Sequence, residues 1–302
     1  MNNSSSIGNL ILDTMDGHTM FDYHIHPNYS IDAEGSIDEF CEAALKKGLE
    51  EIAFTTHLDT DTIADDCYVN VKGKRISTRS NLWLEDYESS IRAADDRYKE
   101  QGLRVRVGVE VDYIDEIDGA LPEKFHSTDF DIILGSMHLI DHIAISASDR
   151  AEEAFKRYSV EEIGSKYYSK LQDAIESGLF DIIAHIDLYR RHGLIFYGES
   201  VRNIWKPHIV SLASAMRHNN VGFEINTSPL RRGQQQPMPE EKIVRELQKQ
   251  GVSLVIVGSD AHAPTDVGAN IKDAYELLRK CGFSEVSRFE KRRALTEPIL
   301  GL

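Results

Sequence analysis

The sequence predicts an α/β barrel, and two observations carry that prediction. Seven strand-like apolar runs alternate with helical patterns along the 302 residues. Such alternation implies parallel pairing, because each helix serves as a crossover. Residues with metal-binding side chains fall at the C-terminal ends of these runs, and in a parallel barrel those ends meet at one rim. The runs span 20–27, 51–58, 103–114, 129–140, 180–189, 221–230 and 252–262. No composition shift marks a second domain, so residues 1–302 read as one domain.

The first run ends in Asp22-Tyr23-His24-Ile25-His26. Alternate residues of a strand share a side, so His24 and His26 project together while Tyr23 and Ile25 project the other way. Two imidazoles on one side can grip one metal ion. Residues 37–49 read as a helix, and the second run ends at His57. Residues 59–83 are charged and glycine-punctuated, an expected insertion or lid. In the third run Val105, Val107, Val109 and Val111 alternate with Arg104, Arg106, Gly108 and Glu110, which sends the valines toward helices and Glu110 inward. The fourth run carries His138 and is followed by an expected long loop at 141–158. A helix at 160–178 then leads to His185 in the fifth. Helical patterns at 203–220 and 240–251 flank the sixth, and the seventh ends at Asp260 and His262. A last helix is expected over 267–280, closed by Gly282, with a terminal strand after Phe283. Gly108, Ser136 and Gly258 each stand two residues before a candidate ligand, which leaves room beneath a metal cluster.

Each candidate has a plainer alternative. A histidine ending a strand can be a hydrogen-bonded structural residue, Asp260 can cap the next turn, and Glu110 can pair with Arg104 or Arg106. These alternatives would have to hold at six separate strands. The remaining histidines (His18, His126, His142, His192, His208 and His218) lie before the barrel or in helix, connector and loop segments, and read as structural or exposed, His192 being the nearest exception.

Bulk properties narrow the function. The net charge of -16 opposes long-range attraction to nucleic acid or anionic membranes. No apolar stretch is long enough to span a bilayer, and the N-terminus lacks the pattern of a signal peptide. Three scattered cysteines (Cys41, Cys67 and Cys281) read as reduced thiols of a cytoplasmic protein.

The pieces DYHIH, TTHLD, GVEVD, GSMH, AHID and GSDAH, in this order over residues 22–262, resemble those of the PHP (polymerase and histidinol phosphatase) superfamily. The resemblance implies a distorted barrel of seven strands and seven helices, TIM-like, with up to three divalent metals at its rim. It implies one metal held by His24, His26, Glu110 and Asp260, and a second by Asp32, His57 and His262. A third would be held by Glu110, His138 and His185, with Glu110 bridging. Asp32 enters only through the family's Ser-x-Asp; the residues alone suggest a helix cap ahead of Ser36. Imidazole and carboxylate ligands without thiolates suit Zn, Mn, Fe or Co.

Clustered divalent metals of this kind lower the pKa of a bridging water and hold phosphoryl oxygens for attack, so the expected reaction is phosphomonoester hydrolysis by a metal-bridging hydroxide. Asp260 or His262 would deliver or relay the proton to the leaving alcohol. Within the superfamily the histidinol-phosphatase branch fits best, because EINTSPLRRG resembles that branch's Glu-x-Asn-Thr-Ser followed by a basic residue. L-Histidinol phosphate is then the expected substrate. Arg231 or Arg232, or alternatively Arg190 or Arg191, would meet its phosphate, and Glu224 and Asn226 would contact an amine or orient the ligands. Pro27 and Pro229 depart from the family pattern beside the site, where Thr and Gly are frequent, and bear on substrate preference. The alternatives are a phosphatase for another small ester, such as a sugar phosphate or nucleotide, a nucleic-acid-processing domain, and a non-catalytic domain. The acidic charge and the absence of a basic aromatic groove argue against the nucleic-acid reading, and the filled ligand positions argue against the last.

Overall fold

The apolar runs form one parallel sheet whose strands follow each other in chain order. The computed structural model describes residues 20–64 and 67–299; the N-terminal segment and His18 lie outside the described residues. Strands β1 (Phe21–Ile25), β2 (Glu51–Phe54) and β3 (His57–Leu58) open the chain. A hairpin of β4 (Tyr68–Val71) and β5 (Lys74–Ser77) follows, then β6 (Arg104–Asp112) and β7 (Ile132–Ser136). A second small hairpin is made of β8 (Leu139–Ile140) and β9 (Ile143–Ala144). Strands β10 (Ile182–Ile183), β11 (Gly222–Asn226) and β12 (Val255–Gly258) complete the sheet, in the order β1-β2-β6-β7-β10-β11-β12 with β3 also on β6. The ring closes through a parallel bridge between Ile25 and Ala261, where His26 N donates to the Ala261 carbonyl at 2.8 Å.

Helices pack outside this ring for reasons visible in their residues. Ser36 caps α1 (Ile37–Lys46) in a reciprocal box with Glu39, so Asp32 is left for other duties. Phe40 of α1 meets Phe54 of β2 edge-on, at a centroid distance of 5.9 Å. A helix that the apolar runs do not single out, α2 (Asn81–Tyr98), buries Trp83, Tyr87, Ile91, Ala94 and Tyr98, a spacing of three to four that defines one face. All four valines of β6 are fully buried, as their alternation with Glu110 requires.

Several segments differ from expectation. The insertion at 59–83 is the β4–β5 hairpin, and its last residues already belong to α2. The expected loop at 141–158 instead holds β9 and the helix α3 (Ala151–Arg157). After α4 (Val160–Glu176) and α5 (Arg190–Tyr197), the pattern at 203–220 becomes helix only from Ile209, as α6 (Ile209–Asn219), beyond the Pro207 that removes a backbone donor. The end of the sixth run turns into the single-turn α7 (Ser228–Arg231), with Pro229 in its first turn, where a missing N–H costs nothing. Helices α8 (Glu241–Lys249) and α9 (Ile271–Lys280) follow as patterned. The bulge between Asp22 and Ile25 breaks the simple alternation of β1, and Tyr23 donates to Glu51 on β2.

The segment after Phe283 forms an antiparallel pair, β13 (Glu285–Glu290) and β14 (Arg293–Pro298), separate from the barrel sheet. It covers the end of the barrel opposite the ligands. Arg106 pairs there with Glu51 and Glu290, and Phe289 N donates to Tyr23 Oη at 2.9 Å. Asp131, just before β7 and buried, accepts from Val107 N at 2.9 Å, Lys291 N at 3.0 Å and Arg92 at 2.6 Å, tying two barrel strands to this floor. Asp131→Ala should therefore lower the unfolding free energy by about 3 kcal/mol in urea, because it leaves buried donors unpaired; a loss below about 1 kcal/mol would contradict this role.

Candidate metal centre

Glu110 points from β6 into the barrel and is met there by five imidazoles. Its Oε2 lies 3.2 Å from His24 Nε2, 3.5 Å from His26 Nε2 and 2.9 Å from His57 Nδ1. Its Oε1 lies 2.9 Å from His185 Nε2 and 3.5 Å from His138 Nε2. Arg104 and Arg106 are engaged elsewhere, by Asp95 and Glu51, so the arginine pairing considered for Glu110 does not occur.

The other candidate ligands fill in around this carboxylate. Asp260 Oδ1 is 3.4 Å from His26 Nε2, and Asp32 Oδ2 is 3.2 Å from His262 Nε2 and 3.7 Å from His57 Nε2. His26 stacks between His57 and His262 at centroid distances of 4.1 and 4.2 Å. The ligand atoms fall into sets within 4.8 Å of each other: His24/His26/Asp260, His26/His57/His262, His24/Glu110/His185 and His57/Glu110/His138. All nine residues expected as ligands thus meet at one rim.

Two of these residues sit in left-handed backbone, His185 at φ 28° and Asp260 at φ 53°, a region that non-glycine residues rarely occupy. Local bonds hold both. His185 N donates to Glu224 Oε2 at 3.0 Å, while Arg231 donates to the Ser259 and Asp260 carbonyls.

The residues fit a divalent cation on chemical grounds. His24 Nε2, His26 Nε2, His57 Nδ1 and Glu110 Oε2 are buried and close to one another but not aligned for hydrogen bonds, and His185 Nδ1 is buried without one, a situation that buried polar atoms avoid unless another group satisfies them. The donor set is nitrogen and oxygen only, which suits first-row divalent ions. Electrostatics divide the histidines. Burial disfavours charge on His57, but Asp32 and Glu110 overcome it and raise its pKa to about 10. Burial lowers His138 to about 3, and burial with His57 and His262 holds His26 well below its usual range. Glu110 and Asp260 stay well below the usual carboxylate range despite their burial, because histidines surround them.

A cavity of about 570 Å³ opens onto the cluster. The four arginines separate here. Arg191 and Arg232 line the cavity, and burial together with the Arg232 charge pulls the Arg191 guanidinium below its usual range. Arg190 does not reach it: the side chain is buried and bonded to Asp187, Gln234 and the Pro237 carbonyl. Arg231 is held by the Ser259 and Asp260 carbonyls and lies 3.4 Å from Asp266. Asn226, expected at the substrate, is fully buried, its amide taken up by Glu224 and Ser228.

Sequence reasoning missed Asp59 and Asp112, which line the cavity beside His138. The register His57–Glu110 and Leu58–Val111 places them one step further out than the metal layer. A period-two reading from His57 and Glu110 finds both. His192, placed in a loop by its sequence, sits in α5, lines the cavity and bonds the Ser146 carbonyl at 3.0 Å.

A parallel barrel whose rim gathers six histidines and three carboxylates around one cavity defines an α/β-barrel protein built to hold divalent metals. The family model described as the PHP domain matches residues 22–228. The chain belongs to that family. It is 28% identical over 279 residues to the histidinol-phosphatase of Bacillus subtilis, spanning 86% of this chain and 98% of that protein. It is 26% identical over 264 residues to a probable histidinol-phosphatase of Deinococcus radiodurans, spanning 86% and 93%. Its fold matches the crystal structure of histidinol phosphate phosphatase from Lactococcus lactis, a complex with zinc, L-histidinol and phosphate. There the TM-score is 0.72 at 20% identity, over 92% of this chain and 99% of that one.

A raised pKa means that His57 carries a proton in the metal-free protein near neutral pH, and a metal must displace it. Calorimetric titration with zinc in buffers of different ionisation enthalpy should show proton release, with apparent affinity rising as the pH is raised through neutrality. Heats independent of the buffer would contradict this charge distribution.

Proposed function

We propose that this protein is a metal-dependent phosphomonoesterase that hydrolyses L-histidinol phosphate to L-histidinol and phosphate, a step of histidine biosynthesis. The observation that carries the reading is one cavity in which Arg191 and Arg232 face the Glu110-centred cluster. Two guanidiniums supply the bidentate donors that a phosphate dianion requires, inside a chain of net charge -16. The relatives named histidinol-phosphatase, matched over most of their length, support the choice of substrate. So does Asp59 in the cavity wall, because the organic part of histidinol phosphate is cationic and a sugar is not; burial and Asp59 push the Asp112 carboxyl well above its usual range.

His24, His26, Glu110 and Asp260 would hold one ion, Asp32, His57 and His262 a second, and Glu110, His138 and His185 a third. Divalent ions held there, as zinc, manganese, iron or cobalt, lower the pKa of a shared water and neutralise phosphoryl oxygens. The chain's own groups do the remaining work. Arg191 and Arg232 orient the phosphate, and the buried floor of His24 and His26 excludes bulk water from beneath it. Asp260 and His262, which line the cavity next to the cluster, would relay the proton needed by the leaving alcohol.

Steady-state assay of metal-reconstituted protein should give a kcat/KM for L-histidinol phosphate at least tenfold above those for sugar phosphates, nucleotides and p-nitrophenyl phosphate. Equal values across the panel would reject this substrate. Arg191→Ala should raise KM for the preferred ester about tenfold or more, and Asp260→Asn should abolish turnover. Near-normal activity of Asp260→Asn would remove Asp260 from the chemistry.

A further inference from the structure

We infer that Glu224 is a positioning residue that locks two parts of the metal cluster into one unit, and that Glu224, Asn226 and Ser228 form an internal brace for it. The inference rests on the metal reading above and assigns these residues a role that the ligand set does not include.

Glu224 lies on β11 and is completely buried. Its Oε1 is 2.7 Å from His24 Nδ1. A carboxylate can only accept, so Nδ1 donates to it, and Nε2 is the ring nitrogen turned toward Glu110 and Asp260. Its Oε2 accepts from His185 N at 3.0 Å, at the residue whose backbone is left-handed. One carboxylate thereby fixes the ring of a ligand expected at the first metal and the backbone of a ligand expected at the third.

The brace continues along the strand. Asn226 Nδ2 donates toward both Glu224 oxygens, at 3.3 and 3.2 Å. Asn226 Oδ1 accepts from Ser228 N at 3.0 Å, and Ser228 Oγ lies 3.0 Å from Asp260 Oδ2. His24 of β1, His185 of the segment after β10 and Asp260 of the segment after β12 are thus joined through Glu224, Asn226 and Ser228. Space for this is specific: a methyl group at Gly258 would overlap both Glu224 Oε1 and the His24 Cβ. The glycine two residues before Asp260 makes room for the brace beneath the metals.

The decisive variant is Glu224→Gln. Its shape is retained, but glutamine offers one acceptor oxygen where His24, His185 and Asn226 present three donors, so one donor meets an NH₂ group. Metal content and affinity are read by competition with a chelator, and ligand geometry by the visible spectrum of cobalt-loaded protein. The control is Glu51→Gln, a buried carboxylate at the opposite end of the barrel. The expected result is a 10- to 100-fold loss of affinity for part of the bound metal in Glu224→Gln, the range usual for carboxylates that orient histidine ligands. An altered cobalt spectrum should accompany it. Glu51→Gln should lower the melting temperature with metal affinity unchanged. Ser228→Ala, a smaller change, should weaken metal binding in the same direction. Wild-type metal affinity and spectrum in folded Glu224→Gln, or in Ser228→Ala, would overturn the brace, as would an equal loss in Glu51→Gln. A wild-type protein that binds no divalent metal would instead overturn the metal reading on which the brace depends.

Discussion

The structure depends on the burial of one carboxylate among imidazoles. Glu110 is 1% exposed and has five histidines within 3.5 Å of its oxygens. An ionised carboxylate in such a place is costly unless positive charge compensates it. Protonated histidines provide part of that compensation, as the raised His57 shows. Divalent ions provide more, and the buried Glu110 Oε2 with the His24 and His26 Nε2 atoms that face it is where one would act. The two oxygens face different ligand sets, so a single side chain links what would otherwise be separate sites.

The barrel exists in the form that this carboxylate requires. Parallel strands carry the candidate ligands of β1, β3, β6 and the segments after β7, β10 and β12 to one rim, while the β13–β14 pair stabilises the far end through Arg106, Glu51 and Asp131. The working end carries the strain. His185 and Asp260 occupy left-handed backbone, and Tyr167 and Arg231 bond the carbonyls of those same residues. The scaffold in this way sets the geometry of these two candidate ligands.

Much of this was legible in the residues because it follows from period and direction. The alternation of valines with Glu110 gave the facing of β6, and the placement of histidines at strand ends gave the rim. What was not legible depends on which partner wins a given side chain. Four arginines near the site are equivalent in sequence, yet Asp187 draws Arg190 into the core and two carbonyls hold Arg231, leaving Arg191 and Arg232 at the cavity. Asn226 shares a strand face with Glu224, but the neighbouring Ser228 and Glu224 consume its amide. The strand-like runs also continue past their true ends: β10 has two residues, and the chain turns sharply at His185 where side-chain periodicity gives no warning. The α2 helix was masked by a polar outer face, and the loop at 141–158 by short elements that carry little pattern.

The bridging role proposed for Glu110 is tested most directly by a crystal structure of the zinc-reconstituted protein with anomalous data at the zinc edge. Anomalous peaks should flank Glu110, one on the Oε2 side with His24, His26 and Asp260, and another on the Oε1 side with His138 and His185. A single peak, with the second Glu110 oxygen hydrogen-bonded to a histidine, would contradict it.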